Sequence, residues 1–184
     1  MITLTKMLLI GVTAVIGGAT ASYALRPANA ATSPVERGRY LVATSACHDC
    51  HTPWKLGPKG PEPDMSRMLS GHPANVDVPA APAASPEWPT RASATMTAWA
   101  GPWGTSFTAN LTPDQATGLG AWTKEEFVST LRTGRHQGRG RQILPPMPWP
   151  VYGQMTDADL EAIFAYLQTI PAIANKVPEP RLPQ

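Results

Sequence analysis

Apolar side chains return at helical spacing in three stretches of this chain, and each stretch carries its own start signal. In 156–171, TDADLEAIFAYLQTIP, the side chains of Leu160, Ile163, Phe164 and Leu167 form one stripe. Thr156, with Asp159 three residues on, supplies the cap, and Pro171 ends the run. In 123–134, TKEEFVSTLRTG, Thr123 and Glu126 form a capping box, Phe127 and Leu131 share a face, and Gly134 is the stop. In 33–51, SPVERGRYLVATSACHDCH, Ser33 is the cap, Pro34 takes the first helical position and Glu36 follows three residues after the cap. Tyr40, Leu41 and Val42 give this helix its apolar side. Gly38 costs helix stability, which a close helix crossing would justify. The stripe of the last helix is predicted to pack on the first.

The stretch between these helices has another texture. Residues 52–105 hold ten prolines, and VPAAPAASPEWPTRASA is nearly low-complexity. The pattern predicts neither a strand nor a long helix there. It predicts an extended excursion, docked in part through Trp88, Trp99 and Trp103. No internal repeat is visible.

The N-terminus reads as an export signal over residues 1–30. Lys6 precedes an uncharged run from Met7 to Leu25, and Ala28-Asn29-Ala30 is a small-x-small cleavage site. An uncleaved anchor, and with it membrane association, is the alternative, because the run reaches about the minimum spanning length. The 184 residues then leave one domain with a real core. Losing residues 1–30 removes Lys6 and Arg26 and no acid, so basic and acidic side chains balance. No dense basic stripe exists, which argues against nucleic acid as a partner.

Export places two cysteines in an oxidising compartment. Both lie in one short stretch, ACHDCHTPW, residues 46–54. A three-residue spacing makes a strained, reducible disulfide and a poor staple, so the pair points to chemistry. A structural zinc wants four ligands, and Cys47, Cys50 and His51 give three, with His72 and His136 isolated elsewhere. A thioredoxin-like pair wants a βαβ setting that 40–60 lacks. Covalent haem attachment fits. Positions i, i+3 and i+4 of a helical turn face one way, so the two thiols can reach two vinyl groups while His51 offers its imidazole to iron. His48 and Asp49 are then spacers.

An electron-transferring haem of this type often takes methionine as its sixth ligand. Met147 lies in ILPPMPWPVY, bracketed by Pro145, Pro146 and Pro148, with Pro150 beyond. Each proline fixes φ and lowers the entropy of the opened strap, which helps to keep a weak thioether in place. The plain alternative is a gap-filling core methionine. Met65, Met68, Met96 and Met155 lack a comparable strap, and His136 is the chief rival ligand. Soft sulfur and apolar burial both favour ferrous over ferric iron.

A helix ending in CHDCH, a variable loop, a capped middle helix, a proline-flanked Met and an amphipathic last helix together resemble a class I, mitochondrial-type cytochrome c. TSFTANLTPDQATGLGAWTKEEFVSTLRTGRH and LPPMPWPVYGQMTDADLEAIFAYLQTIP are similar, more narrowly, to haem domains in the cytochrome subunits of bacterial membrane dehydrogenases for alcohols, sugars and gluconate. The resemblance implies an all-α fold, with N- and C-terminal helices packed together around one covalent haem c and a long Pro-rich loop inserted at about 55–105. It implies a cytochrome domain over 31–177, with 178–184 as a tail. It implies thioether links at Cys47 and Cys50, and ligation by His51 and Met147. It implies electron transfer as the activity and a dehydrogenase or terminal oxidase as partner, in the periplasm of a bacterium. Arg132, Arg135, Arg139 and Arg141 form the one basic cluster, read as a solvated loop, as a docking patch, or as a charge partner for haem propionates. The rival function is a haem enzyme or gas sensor with an open sixth site, for which His136 is the one histidine candidate as distal acid–base residue.

Overall fold

The computed structural model describes residues 32–183, so the expected leader in 1–30 lies outside the described residues. The predicted helices form, each from its predicted cap. Helix α1 spans Pro34–Thr44, and the Ser33 hydroxyl and Glu36 carboxylate satisfy each other's backbone N–H groups. The expected continuous helix to residue 51 is broken at Ala46, whose φ of 58° ends one helix and starts the next, α2, Cys47–His51. Helix α3 spans Lys124–Thr133 between the Thr123–Glu126 capping box and Gly134 in the left-handed region. A single turn, α4, Trp149–Tyr152, precedes α5, Asp157–Leu167.

The all-α expectation is wrong. Two antiparallel sheets lie within 54–107, the stretch in which no strand was expected. Strands β1 (Trp54–Gly57) and β2 (Gly60–Pro63) pair as a hairpin, with Gly57 opposite Gly60. Strands β3 (Arg91–Ala92), β4 (Ala98–Gly101) and β5 (Gly104–Phe107) form a second sheet in that order, with Gly101 opposite Gly104. Proline excludes a central strand but not a ribbon whose edges need no donor. Both two-residue turns have the same sequence form, GPKG at 57–60 and GPWG at 101–104, with the closing glycine at positive φ. Trp99 and Trp103 are half-buried on this sheet, as expected, whereas Trp88 is 73% exposed and does not dock.

The core is helical. Leu41 and Val42 of α1 meet Leu160, Ile163 and Leu167 of α5, with Phe127 and Leu131 of α3 alongside. Phe127 and Phe164 rings pack 5.4 Å apart. Tyr40, placed on the apolar side by the pattern, is exposed instead. Gly38 sits where α1 crosses α5: a Cβ there would collide with the Ala162 carbonyl and the Tyr166 side chain. The expected crossing is therefore real.

Chain beyond α5 folds back on the rest of the described residues. The Asn175 amide, 4% exposed, donates to the carbonyls of Ser70 (2.7 Å) and His72 (2.8 Å) and accepts from the Ala74 N–H (2.9 Å). Arg181 bridges to Thr105 through paired backbone bonds of 2.7 and 2.8 Å, and its guanidinium reaches the Val78 carbonyl (2.6 Å) and Asp77 (3.0 Å). Residues 78–85, which lack regular structure, are fastened to the sheet by this arginine and by Arg91, whose guanidinium donates to the Ala83 carbonyl.

His72 is fully buried beside this network. Its Nε2–H donates to the Val76 carbonyl (3.0 Å), which leaves Nδ1 to accept from the Thr97 hydroxyl (2.9 Å). Burial lowers its pKa, the Val76 carbonyl opposes this, and the Arg181 and Arg67 charges add to the lowering. The imidazole is neutral in the fold and protonates in the unfolded chain below about pH 6.5. Stability therefore falls as pH drops from about 6.5. In H72Q the slope of unfolding free energy against pH, between about pH 5 and 6.5, is expected to shrink by up to ~1.4 kcal/mol per pH unit. Denaturant titrations at several pH values check this, and an unchanged slope would show that His72 takes up its proton in the fold.

Candidate functional site

Helix α2 is one turn long, and its five residues are CHDCH. The turn puts Cys47, Cys50 and His51 on neighbouring positions of one face. Both cysteines are free thiols and half-buried. Burial pushes the Cys47 thiol up to about 11, with Cys50 and Asp49 adding to the rise against a backbone hydrogen bond that lowers it. Burial raises Cys50 as well. A thiol pair that burial makes less acidic is not tuned as a thioredoxin-like nucleophile.

His51 is 8% exposed, and burial lowers its pKa, so it is the neutral imidazole that a metal needs. Its Nδ1–H donates to the Ala109 carbonyl at 2.8 Å. That bond fixes the tautomer and leaves the Nε2 lone pair for a metal. Three further bonds hold the surrounding backbone: Gly71 N–H to the His51 carbonyl (2.8 Å), Leu69 N–H to the Thr52 hydroxyl (3.0 Å) and Leu111 N–H to the Leu69 carbonyl (2.9 Å). Gly71 has φ 74°, and a Cβ there would strike the Thr108 and Ala109 backbone. Only glycine lets the two segments close on the imidazole. His48 is more than a spacer, for it is half-buried with Nδ1 3.2 Å from the Thr52 hydroxyl. Asp49 is exposed.

Met147 lies in the strap before α4 and packs, half-buried, on the same apolar cluster as Cys47. The strap is tied at four points. Ile143 N–H donates to the Gly134 carbonyl (2.8 Å), the Ser106 hydroxyl donates to the Pro145 carbonyl (2.6 Å), and the Trp149 ring covers Gly134. The Tyr152 hydroxyl donates to the Ser45 carbonyl (2.5 Å), two residues from Cys47. Segments a hundred positions apart thus share one core and one direct bond. Met65 is exposed, Met96 sits at positive φ in the turn before β4, and Met68 and Met155 also border the core. Met68 precedes the segment bonded to His51 itself. His136 is exposed, edge-on to Trp122 at 4.9 Å.

Four buried side-chain donors have no partner among the described residues: Trp54 Nε1, Ser70 Oγ, Trp103 Nε1 and Thr108 Oγ1. Unsatisfied buried donors are costly and call for an explanation. Ser70 and Thr108 each adjoin a residue bonded to His51, and Trp54 follows it by three positions. Two thiols, a buried imidazole and spare donors on neighbouring stretches of chain fit a tetrapyrrole with reactive vinyls, a metal and acidic side chains. Ser106, Ala109, Gly71 and Tyr152 were not singled out from the sequence. The alternation in TSFT after the GPWG turn is the signal that would have marked β5.

The family model for cytochrome c matches residues 35–171. The fructose dehydrogenase cytochrome subunit of Gluconobacter japonicus is 27% identical over 158 residues, which are 85% of this chain and 26% of that one. The gluconate 2-dehydrogenase cytochrome c subunit of Pantoea cypripedii is 27% identical over 132 residues, 72% of this chain and 22% of its own length. The cytochrome c subunit of a quinone alcohol dehydrogenase from Gluconobacter oxydans is 35% identical over 81 residues, 42% of this chain and 17% of that one. This chain therefore spans about a quarter or less of each of these relatives. The match over most of the described residues, on a chain whose CHDCH turn holds a buried imidazole in one tautomer, places the protein in the cytochrome c family, as an electron carrier with covalently held haem c.

Proposed function

We propose that Cys47 and Cys50 form the thioether links, that His51 Nε2 and Met147 sulfur are the two iron ligands, and that the protein passes single electrons from a bacterial dehydrogenase to a terminal oxidase or similar acceptor. We place it in the periplasm, exported by the leader read in 1–30 and cleaved after Ala30 or anchored by it. No helix among the described residues is long and apolar enough to cross a membrane. The observation that carries the reading is the buried His51 ring with Nδ1–H committed to Ala109 and two free thiols one helical turn away.

Haem c, when bound, supplies a one-electron couple. The residues of this chain hold it. His51 is buried and aimed by Ala109, and Met147 is carried on a strap tied at both ends and packs against the helical core. The dehydrogenase partner is inferred from the relatives, which are cytochrome subunits of fructose, gluconate and quinone alcohol dehydrogenases. Docking is assigned to the loop of the arginine cluster. Arg132, Arg139 and Arg141 are each paired with a carboxylate, at 2.5, 3.0 and 3.5 Å from Asp157, Glu126 and Glu179. Arg135 donates to the Gly140 carbonyl and has no carboxylate partner among the described residues, so it is the one left to meet a partner's acid.

Expression with a haem-attachment system tests the reading. Intact mass is expected to show one added haem that survives denaturation and is lost in a C47S/C50S double variant. The reduced holoprotein is expected not to bind carbon monoxide readily. An unmodified mass would end the proposal, and immediate carbon monoxide binding would transfer it to the open-site reading.

A further inference from the structure

The segment from Ser106 to Ala109 touches both ligand-bearing parts of the chain. At one end the Ser106 hydroxyl donates to the Pro145 carbonyl, two residues before Met147, at 2.6 Å. At the other end the Ala109 carbonyl accepts from His51, at 2.8 Å. Ser106 is 8% exposed, and its second acceptor, the Trp99 carbonyl, is distant at 3.4 Å, so the proton goes to Pro145. Its strand is backed on the other side. Thr105, the preceding residue, is paired through its backbone to Arg181, which in turn holds Asp77 and Val78. The proline-bracketed strap has few backbone donors of its own, because prolines carry no N–H. Between Ile143 and Trp149 the Pro145 carbonyl is therefore the tie nearest Met147.

We propose that Ser106 is a positioning residue that sets how rarely the Met147 strap opens, and that the sheet in the Pro/Ala-rich insertion exists to back that strap. The inference rests on Met147 being the sixth ligand. A hydroxyl on strand β5, whose free edge pairs with Arg181, adds to the other ties the bond nearest Met147. Loss of the bond raises the population of the open strap without altering either iron ligand.

The test uses ferric holoprotein and cyanide, which captures the iron only when the native sixth ligand has left. S106A removes one oxygen and no backbone pairing. Its capture rate is expected to rise about tenfold, the size of effect that losing one buried hydrogen bond produces. S106T keeps the hydroxyl and is expected to stay within about twofold of the unmodified protein. T105A alters the neighbouring residue on the opposite face of β5 and is expected to do the same, so a general loosening of the sheet is told apart from the specific bond. Unchanged capture by S106A, or equal acceleration by T105A, overturns the proposal. M147A separates this from the underlying reading: it should bind cyanide far faster than any of these. If the unmodified protein already reacts as fast as M147A, the ligand assignment fails and this inference with it.

Discussion

Replacing Gly38 by alanine is expected to destabilise the protein by about 3 kcal/mol, although alanine is the better helix former. The two effects have opposite signs, which makes the experiment decisive. In an open helix the substitution would gain up to ~1 kcal/mol, because alanine loses less backbone freedom on folding. Here the added Cβ would meet the Ala162 carbonyl oxygen and carbon and the Tyr166 Cβ. These are backbone or backbone-near atoms and cannot rotate away. Helix α1 has to lift from α5, and the lift is felt by Leu41 and Val42 against Leu160, Ile163 and Leu167. Overpacking of a tight interface costs about 1–3 kcal/mol, more when the backbone itself is displaced. For a domain of this size that corresponds to a fall in Tm of roughly 6–12 °C. Thermal and denaturant unfolding of the holoprotein measure it. A neutral or stabilised G38A would mean that the two helices stand further apart than the structure shows.

That crossing was legible in the sequence because its parts are local. A glycine inside an otherwise good helix, a capping box at Ser33 and Glu36, and a four-residue stripe in α5 each report on a few neighbouring residues. The strands were not legible. They are two to four residues long, too short for alternation to stand out among prolines, and what stabilises the second sheet comes from afar: Pro145 at β5's Ser106 and Arg181 at Thr105. The repeated G-P-x-G turn is the local sign, because proline serves there as a turn residue rather than as a breaker. The candidate site divides in the same way. Cys47, Cys50 and His51 lie on one turn and announce themselves. The groups that hold this turn and the chain just before it, the Ala109 carbonyl on His51 and the Tyr152 hydroxyl on Ser45, sit 58 and 107 positions from the residues they bond. Only the folded chain brings them there.

Removing the Met147 side chain is expected to have the largest effect on function. M147A should lower the reduction potential by at least about 100 mV, which for one electron is about 2.3 kcal/mol of lost preference for the ferrous form. Two causes act in the same direction. On the proposed ligation the soft thioether, which favours ferrous iron, is gone, and the vacated space admits water beside the metal. The strap itself should stay in place. Its ties run through Ile143, Pro145, Trp149 and Tyr152, and none of them uses the methionine side chain. The protein is then folded but open, and its reduced form should take up carbon monoxide at once. M147H supplies the contrast: a nitrogen ligand also lowers the potential but closes the site, so carbon monoxide uptake should be slow again. Potentiometric titration and carbon monoxide difference spectra distinguish the pair. Met68 and Met155 border the same core, so M68A and M155A are the necessary comparisons. If either of them, and not M147A, lowers the potential and opens the iron, the ligand is that methionine, and the proline strap serves packing alone.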